Sequence, residues 1–221
     1  MKLATRMILS VFGSFFLIAA AILIIIGASS SRNAKKTGIE LAVSKSQGVA
    51  SKVEIYLNQA VEGVSMIKNS LIALKSDGSP SRDDGNNILT ETLKNNRNFL
   101  ALWQMWESDM FDGRDADFID DPLYKLSEGK YGSTFYMDGD EINKELNELA
   151  DYNEDYYTIP SEMGKLTVLE PYEYSYTGNA ADNVYETTIA IPIKSNGKSI
   201  GAIGIDISLE SLEEIISGDT I

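Results

Sequence analysis

Along the first third of the chain the apolar positions come first as one unbroken block and then as a stripe. Residues 7–28, MILSVFGSFFLIAAAILIIIGA, are 22 positions without a charge. At about 1.5 Å per residue such a helix crosses the roughly 30 Å hydrocarbon core of a bilayer. The apolar core of a cleaved signal peptide is shorter, about 7–15 residues. Residues 7–29 are therefore expected to stay attached as a transmembrane anchor, with residues 1–6 cytoplasmic. From Ser31 to Lys75 there is no proline, and Ile39, Val43, Val49, Val53, Leu57, Val61, Val64, Ile67, Leu71 and Leu74 recur mostly three or four apart. That spacing predicts a single long helix over 30–75 running straight out of the anchor, with a stripe suited to pairing in a homodimer. The turn formers of SDGSPSRDDGNN, residues 76–87, end it.

Beyond the break the periodicity shortens. ILTETLKNN (88–96) reads as a short helix, FLALWQMW (99–106) as a buried strand, STFYM as a second strand, and DEINKELNELA as an amphipathic helix with Ile142, Leu146 and Leu149 on one face. LTVLEPYEYSY, VYETTIAIPI and SIGAIGIDI are strands joined by turns, of which Asn196-Gly197 is the clearest hairpin signal. Ser208 is placed to N-cap the closing SLESLEEII. These elements predict an α+β fold: a long N-terminal helix followed by a five-stranded antiparallel sheet with helices packed on it.

Charge narrows the function. Residues 1–36 carry five basic residues and no acid, so the remaining 185 hold 14 basic against 33 acidic residues. Such a field repels nucleic acid and anionic lipid and weakly favours cationic partners. With no Cys and no His, thiol nucleophiles, disulfides, thiolate metal sites and the commonest general base are excluded. No cofactor motif is present and no catalytic residue is assigned; carboxylate-pair hydrolysis is the enzyme chemistry that survives this filter. WESDMFDGRDADF (106–118) gathers a tryptophan, two phenylalanines and five carboxylates. It departs from the D-x-D-x-D-G calcium loop, because Gly113 is out of place and no bidentate Glu follows at position twelve, so no metal site is assigned. Trp103 and Trp106 fall on opposite faces of their strand, so one of them faces the pocket side of the sheet.

The order and spacing of WESDMFDGRDADF, DYNEDYYTIP, LEPYEYSYTG and IAIPIKSNGKSIGAIGIDISLESL resemble the double Cache domain, the extracytoplasmic sensor of bacterial chemoreceptors and sensor kinases. The resemblance covers roughly residues 30–217. It implies a membrane-distal PAS-like ligand-binding module over 76–208, a connecting helix over 209–221 that begins a membrane-proximal module absent from this chain, an inner-membrane location, and an acidic loop at 106–118 lying over the pocket. The proximal module, second membrane helix and cytoplasmic output would lie beyond Ile221, so the chain is expected to be a fragment or the product of a truncated gene. In amino-acid-binding members an Arg-x-Trp-Tyr segment clamps the ligand carboxylate, and a tyrosine and the Asp of GxDI hold its ammonium. By that resemblance Tyr157, Tyr172 and Asp206 match, Tyr156 keeps an aromatic ring, and Glu154 reverses the charge of the Arg. The function implied is small-ligand sensing by a chemoreceptor, with an amine favoured over an α-amino acid. The alternatives are the input domain of a histidine kinase or cyclic-dinucleotide enzyme, and an extracytoplasmic hydrolase.

Overall fold

The computed structural model describes residues 3–76, 78 and 80–217. Residues 1–2 of the expected cytoplasmic segment, 77 and 79 of the break, and 218–221 of the connecting segment lie outside the described residues. The apolar block and the helical stripe form one uninterrupted helix, α1 (Leu3–Ser76). The chain divides into two compact units, Met1–Ser51 and Lys52–Ile221. The first is helix throughout its described part, and the side chains of Met7, Phe12, Phe15, Phe16, Leu23 and Ile24 are exposed along it. This segment is long and apolar enough to cross a membrane.

In the second unit the buried seam of α1 is Tyr56, Ala60, Val64, Ile67 and Leu71. It keeps Val64, Ile67 and Leu71 of the stripe expected from sequence and adds Tyr56 and Ala60, while Leu57 and Val61 are only partly buried against the core; the spacing of four, four, three and four is that of one helix face. Full burial of Ile67 or Leu71 contributes about 1.5–3 kcal/mol each. Helix α2 (Arg82–Asn95) starts earlier than its apolar residues suggest, because the Ser81 side chain accepts from the Asp84 N–H at 3.2 Å and Asp83 and Asp84 occupy the positive first turn.

The sheet is antiparallel. Its strands are β1 (Ala101–Trp106), β2 (Gly132–Asp138), β3 (Glu141–Glu145), β4 (Thr167–Val168), β5 (Tyr172–Tyr174), β6 (Val184–Ser195) and β7 (Lys198–Ser208). The order is β3-β2-β1-β7-β6-β4, with β5 also paired to β6. Seven strands thus stand where five were expected. One addition is the split of 166–176 into β4 and β5. The other is β3, which occupies the predicted helix of DEINKELNELA: Gly139, at φ +60°, turns the chain back so that Ile142 lies opposite Met137 and Lys144 opposite Phe135. Ile142 and Leu146 are four apart, a spacing that satisfies strand alternation as well as helical period, and the unpaired edge of β2 decides between them. Asn196 and Gly197, at φ +51° and +79°, make the β6–β7 turn as predicted. Ser208 accepts from the Ser211 N–H at 3.1 Å at the start of α4 (Leu209–Ser217).

The two faces of the sheet differ in chemistry. Leu102, Trp106, Ile189, Ile193, Ile203, Ile205 and Ile207 face α1 and α2 in the main core. Trp103, Met105, Ala190 and Ala202 face the other way, toward helix α3 (Asp155–Met163) and its Tyr156 and Tyr157. Asp206 pairs with Ala101 and with Thr188, and so belongs to the second face.

Candidate ligand-binding site

The second face carries a ring of aromatic side chains around buried acids. β5 and the residues after it read Tyr-x-Tyr-x-Tyr, and alternation turns Tyr172, Tyr174 and Tyr176 to one side. With Trp103, Thr134, Tyr156, Glu186 and Asp206 they line a small pocket in which about 10 Å³ remains free, on the order of one water. The rings pack on one another: Trp103 on Tyr156 at 5.3 Å, Tyr174 on Tyr176 at 4.9 Å, and Tyr136 stacked on Tyr176 at 4.8 Å. A cleft of about 600 Å³ adjoins it, sharing the walls Tyr156, Tyr172 and Tyr174 and adding Glu154 and Ile159.

Asp206 is 3% exposed and accepts three hydrogen bonds, from Thr188 Oγ1 at 2.6 Å, Tyr176 OH at 3.1 Å and Trp103 Nε1 at 3.2 Å. Tyr176 OH also lies 2.6 Å from Glu186 Oε2, and Tyr172 OH lies 2.6 Å from Thr188 Oγ1. Burial pushes both carboxyls above the ordinary range. The charge of Asp206 raises Glu186 further, while the donors from Thr188, Tyr176 and Trp103 pull Asp206 part of the way back. Glu145, opposite Thr134 on β3, accepts from Tyr174 OH at 3.1 Å, and burial pushes it up to about 8. Among the described residues no ion pair reaches Glu145, Glu186 or Asp206; the salt bridges lie elsewhere. Three acids thus sit in an aromatic shell with no basic partner among the described residues.

Gly204 shapes this cage. The indole of Trp103 lies across it, so closely that a Cβ at position 204 would sit 2.2 Å from Trp103 Cε2 and 2.4 Å from Nε1. Gly204→Ala is therefore expected to expel the indole and remove a donor from Asp206, at a cost of about 1–3 kcal/mol for the overpacking. Urea denaturation and the near-ultraviolet dichroism of the indole check this; an unchanged dichroic band would contradict it.

Of the residues expected at the site, the structure brings Asp206, Tyr172, Tyr156 and Trp103 together. Trp106 is fully buried on the opposite face, where its ring packs on Phe111 at 5.0 Å. Tyr157 follows Tyr156 on α3 and is rotated by one helical step. It lines neither cavity and donates instead to Glu107 Oε1 at 2.5 Å. Glu154 stands exposed at the N-terminus of α3, on the rim of the cleft. Sequence reasoning passed over Tyr174, Tyr176, Glu186, Thr188 and Glu145. The alternation in YEYSY was the available signal for the tyrosines, and Glu186 and Thr188 carry the same period on β6. Glu145 was hidden by the helix expected there.

The acidic segment 106–118 does not lie over the pocket. Arg82, 4% exposed, reaches into it from α2 and holds Asp112 through Nε at 2.7 Å and Nη2 at 3.0 Å, Asp115 through Nη2 at 2.7 Å, and the Gly129 carbonyl through Nη1 at 2.8 Å. Its guanidinium lies 3.8 Å from the Phe118 ring centre. Burial opposes the charge of Arg82, but the bonds and charges of the two aspartates more than offset it, and the arginine stays protonated. The cluster is the lining of a buried arginine on the helix-packed side of the sheet.

An antiparallel PAS-like sheet with a ligand-sized cleft on one face and a long helix on the other is the architecture of a sensor domain. Residues 86–214, more than half of the chain, match the methyl-accepting chemotaxis protein-like first PDC sensor domain, and the chain belongs to that family. The expected resemblance to chemoreceptor sensors is thereby borne out. Methyl-accepting chemotaxis protein TlpQ of Pseudomonas aeruginosa is 29% identical over 153 residues, which are 63% of this chain and 21% of that protein. The chain thus spans about a fifth of that relative's length. The extracellular domain of mmHK1S-Z3, assigned as a histidine kinase, is similar over 78% of this chain and 57% of its own, at 24% identity and a TM-score of 0.57. The ligand-binding domain of Campylobacter jejuni chemoreceptor Tlp3, in complex with L-norvaline, is similar over 77% of this chain and 58% of its own, at 16% identity and a TM-score of 0.53. At these identities the two structures share the fold.

Proposed function

We propose that this chain is the extracytoplasmic sensing module of a transmembrane chemoreceptor, anchored by residues 7–29 and paired with a second copy through α1, and that its ligand is a small amine. The observation carrying the ligand class is the buried Asp206, which shares an aromatic cage with a second carboxyl and has no basic partner among the described residues. An ammonium group entering from the cleft gains an ion pair and about 0.5–2 kcal/mol of cation–π attraction from each ring it faces. Glu154 on the rim repels a carboxylate where amino-acid-binding relatives place an arginine, so an α-carboxylate is a liability for the ligand. Trp103, Tyr156 and Tyr172 wall the site. The similarity to an extracellular histidine kinase domain supports a second reading, in which the same module feeds a kinase.

Calorimetry on the detergent-solubilised chain tests the ligand class with matched pairs: butylamine against L-norvaline, and 1,4-diaminobutane against L-ornithine. Each amine is the amino acid without its carboxylate. Tighter binding of the amines is expected, and preference for either amino acid would end the amine reading.

A further inference from the structure

The hydroxyl of Tyr176 sits between two carboxyl groups, 2.6 Å from Glu186 and 3.1 Å from Asp206. A phenol has one proton, so it serves one of these contacts and the other needs a proton from a carboxyl. The neighbouring hydroxyls have none to spare. Thr188 donates to Asp206, which leaves Tyr172 to donate to Thr188 across their 2.6 Å contact. Asp206 accepts from Trp103 as well. With more donors than Glu186 it is the anion of the pair, and the chain of bonds closes as Glu186–H to Tyr176, and Tyr176–H to Asp206.

We propose that Glu186 is a second ammonium-binding carboxylate that stores a proton while the cage is empty and releases it when the cation enters. This rests on the amine reading of the same site. The step balances simply: the Glu186 O–H bond breaks, its proton leaves to water, and the ammonium keeps its own protons and pairs with Glu186 and Asp206. The titratable groups facing Glu186 are Asp206 on β7, Tyr172 on β5, Tyr176 just after it, and Glu145 on β3. All are acids or phenols, so nothing among them offers the charge that would ionise Glu186 without a ligand. Its raised protonation range, set by burial and by Asp206, agrees with the bond pattern.

The sign follows from linkage. Between the ordinary glutamate value near 4.5 and the raised one, the empty site holds a proton that the occupied site lacks, so affinity rises with pH, by up to about tenfold per unit. Aliphatic amines stay protonated through that window, with ordinary values near 10. Two measurements on the solubilised chain test the exchange. Infrared spectra of ligand-free wild type and Glu186→Gln at pH 7 should differ by one protonated carboxyl, a component that the variant loses while that of Glu145, also raised by burial, remains in both. Butylamine and 1,4-diaminobutane titrations in phosphate and in Tris, from pH 6 to 8, should show a buffer-dependent heat equivalent to about one proton released, with affinity increasing about tenfold per unit. Absence of that difference, or affinity flat across that range while the amines bind, overturns the exchange and leaves the amine reading standing. The difference present while neither amine binds overturns the amine reading and the exchange with it. Where Glu186→Gln misfolds, the wild-type titrations alone decide between these outcomes.

Discussion

Arg82→Met is expected to destabilise the sensor module by about 3–5 kcal/mol, the cost of removing one partner from a buried ion pair. The change leaves Asp112 and Asp115 in place with their arginine gone; the Asp112 side chain is 3% exposed and that of Asp115 11%. Asp112 is the carboxyl that Arg82 holds below the ordinary range, against the effect of burial, and without the guanidinium it must stay buried unpaired or take up a proton. The Gly129 carbonyl loses its donor and Phe118, Tyr124 and Tyr131 lose the cation they surround. Urea denaturation of the single variant measures the loss. The triple variant Arg82→Met, Asp112→Leu, Asp115→Leu should recover much of it, since apolar replacement of a whole buried ionic group is often near neutral. Loss of under about 1 kcal/mol in the single variant would show that the cluster is not a structural lock.

For Asp206→Asn, affinity for butylamine should fall about ten- to a hundred-fold, the equivalent of roughly 1–3 kcal/mol for a charge-assisted bond to a buried carboxylate. The amide keeps the size of the side chain and an acceptor for Thr188 and Trp103, so the cage remains while the charge is lost. The fold should not suffer, because a neutral group replaces one that burial already penalises. Calorimetry beside a thermal melt separates the two effects. Affinity within about twofold of wild type, with the melt unchanged, would remove Asp206 from the ligand site. Glu154→Arg is the complementary change, expected to weaken the amine and to admit L-norvaline, because a guanidinium on the rim offers two parallel donors to a carboxylate.

What the sequence determined by itself are the features carried by local period and local chemistry. The uncharged block of 7–28 and the stripe to Leu74 require helix, and α1 runs through both. Asn196-Gly197 requires a turn with two positive φ values, and the alternating runs on either side make β6 and β7. Asp206 was legible through its place in GIDI, and the opposite faces of Trp103 and Trp106 follow from a period of two.

Tertiary structure decided the rest, because it turns on partners far away in the chain. The same spacing of Ile142 and Leu146 fits a helix or a strand, and the open edge of β2 made it β3, bringing Glu145 to the tyrosines. Arg82 looked like part of a polar turn, and the aspartates of 106–118 like a loop over the pocket. They neutralise one another across 30 residues or more, and burial follows only because they do. Glu186 and Asp206 lie 20 residues apart on neighbouring strands; no local pattern says that a phenol from a third segment will stand between them and join the two acids in one hydrogen-bond network.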